Sequence, residues 1–212
     1  SDLDHPVLGR YLHHYGILRS RIYLDGLDGF GGSAVVSGHN YALSDGPHRR
    51  ETGGALLQTW NKGALRTEPG RWREVLNLDI KVEDLPVESN RVEVSRSNSD
   101  KPVVIFRDYS DYFYRGVARA KKLLPEVLAP LPVERIVFED RIARSVPHNQ
   151  GTVRMGVDPT TSVVDRTLTH HKIRNLVVLG ASAFPTGPLA NPTLTLSALS
   201  LWSASALTRS QA

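Results

Sequence analysis

Apolar and polar residues alternate along several stretches of this chain, and a period of two marks a half-buried strand. The alternation runs from Ile17 to Leu24 and from Arg73 to Val82, where Leu76, Leu78, Ile80 and Val82 fall on one face. Gly54 to Trp60 reads as a further strand. Arg91 to Val94 and Pro102 to Phe106 are two short ones, joined across a polar turn and so expected to pair as a hairpin. Turns such as Glu68-Pro-Gly70 between the strands argue for an antiparallel sheet. From Tyr109 to Leu124 the period changes. Phe113, Val117, Ala120 and Leu124 lie on one side and Arg115, Arg119, Lys121 and Lys122 largely elsewhere, which predicts an amphipathic helix that Pro125 interrupts or ends. Val133 to Phe138 suits a strand or a short amphipathic turn. Asn175 to Leu179 is a short apolar run expected to form a buried strand, and Leu194 to Leu207, apolar nearly all round, is expected to form a buried helix.

Between that last strand and helix lies Gly180-Ala-Ser-Ala-Phe-Pro-Thr-Gly-Pro-Leu-Ala-Asn-Pro-Thr-Leu-Thr195, rich in glycine, proline and small residues. Asn191 is expected to cap the helix and Pro192 to take its first position, where a missing N–H costs nothing. The N–H groups of Thr193 and Leu194 then point back at the loop with the positive end of the helix dipole. Such an end suits an electron-rich group, though an ordinary strand–loop–helix connection has the same pattern.

Composition narrows the function classes. Of 212 residues, 40% are apolar and 23% charged, the balance of a globular protein with a sizeable core. No run of ~18 apolar residues exists, so no spanning helix is expected. The start lacks the charged and apolar regions of a signal peptide. The formal charge of +4 is spread along the chain rather than clustered with aromatics, which argues against a nucleic-acid partner. With no Cys there is no disulfide, thiolate nucleophile or thiolate-held metal, and the compartment is left open. His13, His14 and His39 match no metal-ligand spacing, so no metal is assigned. Gly29-Phe-Gly-Gly-Ser-Ala34 formally fits a dinucleotide loop, but turn residues follow it where a long helix is required, so it reads as a plain glycine loop.

His148-Asn-Gln-Gly-Thr-Val-Arg-Met-Gly156, followed by Asp158-Pro159, Ser162-Val-Val-Asp165, Asn175-Leu176, Ala181-Ser182, Phe184-Pro-Thr186 and Asn191-Pro-Thr193, forms an ordered set. In that order the motifs resemble the carboxy-terminal part of the glucose-methanol-choline (GMC) flavoprotein oxidoreductases. Details around Gly180 and Ala190 to Thr195 look most like the pyranose oxidases and bacterial glycoside 3-oxidases. Leu8-Gly-Arg-Tyr-Leu12 is weakly similar to a family segment that follows the first flavin-binding portion.

The resemblance implies a mixed α/β architecture: the carboxy-terminal part of an FAD-binding α/β domain plus an antiparallel-sheet substrate domain with helices. Residues 1–16 would end the flavin-binding portion, 17–145 would form the substrate domain, and 146–212 would return to complete the FAD domain. The family's Gly-rich dinucleotide loop would lie in a missing amino-terminal half, in the same protein or a separate chain. The implied reaction oxidises a CH–OH group of a sugar, glycoside or other alcohol, with hydride passing to flavin N5 and then to O2, a quinone or another acceptor. By motif position His148 is the base, a role its near-neutral pKa suits. Asn191 would hold the substrate oxygen. It cannot itself be the base. Gly180 and Ala181 would let backbone approach the cofactor, and Asn191, Pro192 and Thr193 would meet the flavin edge. Many family members carry Asp where Gly180 stands. Arg154 is expected to brace its loop. Gln58 and Trp60, on one face of their strand, are candidate substrate contacts. The alternatives are a lyase of the same family and a non-catalytic subunit completing a flavoprotein.

Overall fold

The computed structural model describes residues 3–29, 36–60, 64–95, 97, 100–144 and 148–209. The glycine loop that begins at Gly29 therefore lies outside the described residues from position 30 to 34, as does the centre of the 97–100 turn. The chain divides into two compact units: Ser1–His14, Asp84–Ser110 and Val146–Ala212 form one, and Tyr15–Glu83 with Asp111–Ser145 the other. The expected middle unit of 17–145 differs from this division at Asp84–Ser110, which groups with the chain's two ends.

The second unit is a sheet with one helix. Its strands are β1 (Gly16–Leu24), β2 (Val36–Asn40), β3 (Ala55–Trp60), β4 (Val75–Val82), then β7 (Val133–Phe138) and β8 (Ala143–Arg144). They pair antiparallel in the order β2-β3-β4-β1-β7, with β8 also on β1. The sequence alternation appears as burial: along β1, Leu18, Ser20, Ile22 and Leu24 are buried between more open residues. Helix α1 (Asp111–Val127) buries Tyr112, Phe113, Gly116, Val117, Ala120 and Leu124. Gly116 lets it come close, since a Cβ there would stand 2.7 Å from the Gly53 carbonyl oxygen and 2.8 Å from Val82 Cγ1. Pro125 sits inside α1, which runs on to Val127. Only the last turn lies beyond it, so the proline forfeits one hydrogen bond near an end that already lacks partners. Val133–Phe138 is a strand, fixed by its pairing with β1.

The first unit holds the hairpin β5 (Arg91–Val94) and β6 (Pro102–Ile105), paired as expected from Arg91 opposite Ile105 to Val94 opposite Pro102. Its core gathers Val163, Val164, Leu168 and Ala183, with Val7, Val153, Met155, Val177, Val178 and Leu199 packed around them. Two expectations change here. Asn175–Leu179 is not a buried strand: Val177 makes one isolated bridge with Thr169, and Leu179 is exposed. A strand needs neighbours to take its N–H and C=O groups, and this run has a single bridge. The last helix, α2 (Thr193–Arg209), is open rather than buried; Ser203 alone among its described residues is buried. No helix among the described residues is long and apolar enough to cross a membrane.

Candidate active site

The segment from His148 crosses the first unit as a series of backbone bonds. Gln150 and His13 exchange two, His13 N to Gln150 O at 3.0 Å and Gln150 N to His13 O at 2.9 Å. Beyond them Gly151 N donates to Ala181 O (3.0 Å), Val153 N to Ser182 O (2.9 Å) and Met155 N to Ala183 O (2.8 Å). The His148 motif and the Gly180 loop are thereby laced side by side. Thr152 closes the other side, accepting from Gly9 N at 2.7 Å and donating its own N–H to Arg10 O at 3.1 Å. Gly151 needs its freedom: φ is +82°, and a Cβ would collide with the Tyr11 carbonyl oxygen.

His148 itself is half-buried in a short turn, and the Gln150 amide reaches its carbonyl oxygen at 3.4 Å. Arg154 lays its guanidinium over the Tyr11 ring, 4.6 Å from the centroid, the bracing role read from its place in the motif. Asp158 and Asp165 prove to be turn builders. Asp158 Oδ1 accepts from Thr160 N at 2.8 Å, and Asp165 Oδ1 from Thr167 N at 2.8 Å and Thr169 N at 3.2 Å.

Gly180 takes φ +116° before a single 3-10 turn, Ala181–Ala183, and no atom stands within 4 Å of where a Cβ would be. Its backbone is open to a large neighbour. Down the loop, Gly187 packs on His13 and Gln150: a Cβ there would lie 2.9 Å from His13 Cδ2 and 3.0 Å from Gln150 Oε1. At the helix start, Leu196 N donates to Pro192 O at 3.0 Å. The residue whose carbonyl takes the first helical bond is the N-cap. Pro192 therefore fills that place, one residue earlier in the helix frame than expected, and Asn191 stands just ahead of it, exposed, while Pro192 is buried. Thr193 and Leu194 are exposed at the first turn, where N–H groups have no partner inside the helix.

His148, Gly180, Ala181, Asn191, Pro192 and Thr193 thus belong to one unit, tied through the backbone bonds above and the Gly187 contact. Gln58 belongs to the sheet unit, fully buried, with its Oε1 taking a hydrogen bond from His39 Nε2 at 3.1 Å. Of Trp60 only the backbone in β3 is described. The sequence reading gave His13 and Gln150 no role. Each is 1% exposed, and His13 Nδ1 donates to Tyr11 O at 2.7 Å. Burial holds the His13 imidazole below its ordinary range, against the pull of the Tyr11 carbonyl. The available signal was adjacency: Gln150 sits inside the His148 motif and His13 one residue beyond Leu8–Leu12.

The family described as GMC oxidoreductase matches residues 86–200, more than half of the chain, and the chain belongs to that family. It is 44% identical over 68 residues to the gluconate 2-dehydrogenase flavoprotein of Pantoea cypripedii, a stretch that is 32% of this chain and 11% of that protein. Among solved structures, a formate oxidase overlays with a TM-score of 0.70 at 14% identity, over 95% of this chain and 47% of its own. Pyridoxine 4-oxidase from Mesorbium loti overlays with a TM-score of 0.61 at 15% identity, over 97% and 44%. These two identities speak to a shared fold. The chain spans less than half the length of either structure.

Proposed function

We propose that this chain is the carboxy-terminal half of an FAD-dependent oxidoreductase that oxidises a CH–OH group of a sugar, glycoside or other alcohol. An amino-terminal half would supply the dinucleotide loop, and O2, a quinone or another acceptor would take the electrons onward. The observation that carries this reading is the lacing of the His148 motif to the Gly180 loop by three backbone bonds, in a chain of the GMC family.

The residues fit the cofactor. The open space beside Gly180 admits a bulky ligand, and the first N–H groups of α2 suit negative charge on it. Bound FAD would supply the acceptor for the hydride that leaves the substrate carbon. The chain's own residues would handle the rest. His148, neutral, would accept the hydroxyl proton. Asn191, exposed ahead of the helix, would donate an amide N–H to the same oxygen and hold it in place. That bond strengthens as the oxygen becomes an alkoxide, so it lowers the barrier rather than only aiding binding.

The test is His148→Asn in the full-length flavoprotein. Flavin reduction by substrate, followed by stopped flow, is expected to slow by ~10²–10⁴, the usual worth of a positioned base, with flavin content and folding kept. A reduction rate near the parent's would remove His148 from the role of base.

A further inference from the structure

Unfavourable features gather at one place in the first unit, where the segment from His148 runs beside residues 9–13. Two of the three described non-glycine residues with positive φ stand there, Tyr11 at +62° and Thr152 at +80°. A β-branched residue takes that conformation only where its surroundings impose it. Here they do: Gly9 N donates to Thr152 O, Thr152 N donates to Arg10 O, and His13 and Gln150 exchange backbone bonds.

Two buried acceptors at the same place lack a donor. The Tyr11 carbonyl can only accept, so its bond with His13 Nδ1 puts the ring proton there and leaves Nε2 a bare lone pair. Nε2 makes no hydrogen bond among the described residues, and neither does Gln150 Oε1. Both lie under Gly187, where a Cβ would be 3.4 Å from Nε2 and 3.0 Å from Oε1. The Thr186 backbone faces the ring as a further acceptor, and neutral His13 has no second proton for it. None of these acceptors can satisfy another. The Gln150 side chain makes one bond, from Nε2 to His148 O at 3.4 Å. An orphaned buried acceptor lowers stability, and an apolar side chain of the same length would avoid that cost. What Gln150 adds is the tie to His148.

We propose that Gln150, backed by His13, is a positioning residue that fixes the His148 turn against the loop leading to Asn191, at the expense of stability. It acts through His148 and takes no part in the chemistry. The proposal rests on the oxidoreductase reading above, with His148 as base.

Gln150→Met in the full-length flavoprotein keeps an unbranched side chain of similar length and removes the amide. Flavin reduction is followed by stopped flow over a range of substrate concentration, beside flavin content and thermal unfolding. The limiting rate is expected to fall about tenfold or more, since misplacing a reacting group by ~1 Å costs up to ~10²-fold. The substrate concentration giving half that rate should stay within about twofold, the mark of an interaction made only in the transition state. The melting temperature should hold or rise, because an orphaned acceptor is gone. A limiting rate like the parent's overturns the proposal, whether or not the melting temperature drops. Gln150→Asn, which draws the amide back by one methylene, decides the case by the same rate if the methionine variant does not fold. Gln150→Met in a His148→Asn background separates the two claims. No further slowing is expected there, because residues that act as a unit are not additive. Slowing that adds in full overturns the positioning role and leaves His148 as base. A His148→Asn rate near the parent's sinks the base itself, and the positioning role with it.

Discussion

At residue scale the buried pair His13 and Gln150 joins the His148 turn to the loop that follows Gly180. Gln150 contacts the His148 carbonyl, both side chains underlie Gly187, and the loop from Gly187 leads on to Asn191. His13 should also make stability depend on pH. Its native pKa is lowered, chiefly by burial, below the ordinary histidine value of ~6.5. Between those two values the unfolded chain binds a proton that native His13 does not, so acidification favours unfolding. Its contribution is full above ~6.5 and is lost as pH falls toward the native pKa. Thermal unfolding of the full-length protein from pH 8 to pH 5, compared with His13→Gln, should show the parent's advantage shrinking as pH drops. A constant difference would mean His13 does not titrate between the two states. His148, Gly180 and Asn191 stand out in the sequence because ordered motifs single out their places. His13 was not, because burial of a lone histidine is decided by residues far along the chain, here positions 150 and 187.

At element scale, period-two alternation located β1 and β4, and cross-strand pairing then settled Val133–Phe138, which local pattern left between strand and turn. The misjudged elements share one cause. Asn175–Leu179 and α2 are apolar, and apolarity predicts burial only where something covers the element. On α2, Leu194 is 84% exposed, Leu201 72% and Trp202 51%. The helix is held by Leu199 packed on the unit's core and by polar bonds, Ser203 Oγ to Thr167 O at 2.7 Å and Trp202 Nε1 to Arg166 O at 3.3 Å. Helix α1 offers a test of packing against propensity. Gly116→Ala should gain ~1 kcal/mol as a better helix former. Its methyl would meet the Gly53 carbonyl oxygen at 2.7 Å, and backbone there cannot swing aside as a flexible side chain would. Overpacking costs ~1–3 kcal/mol, so the net effect is expected to be a loss, read as a melting temperature lower by roughly 2–4 °C per kcal/mol. An unchanged or higher melting temperature would show that α1 can lift from the sheet at little cost.

At the scale of the whole molecule, the chain's two ends and the 84–110 hairpin segment build one unit and the rest builds the other. Alternation along a strand reports which face is buried but carries no label for the unit that buries it, so the hairpin's allegiance was not legible. The open α2 and the isolated bridge at Val177 both belong to the unit in which the proposed cofactor residues lie. On the proposed reading the dinucleotide loop comes from another part of the protein, and this unit would meet one edge of FAD while that loop would hold its pyrophosphate. Residues 1–212 produced alone should then be colourless after incubation with FAD. They should also bind a hydrophobic dye strongly, since Leu194, Leu201 and Trp202 form an apolar surface that a folded partner would cover. Adding the amino-terminal half as a separate polypeptide is expected to restore a yellow complex and suppress the dye signal together. A stoichiometric yellow complex of 1–212 by itself would place the whole flavin site within this chain. Dye binding that persists after the flavin returns would mean α2 faces solvent in the complete protein as well.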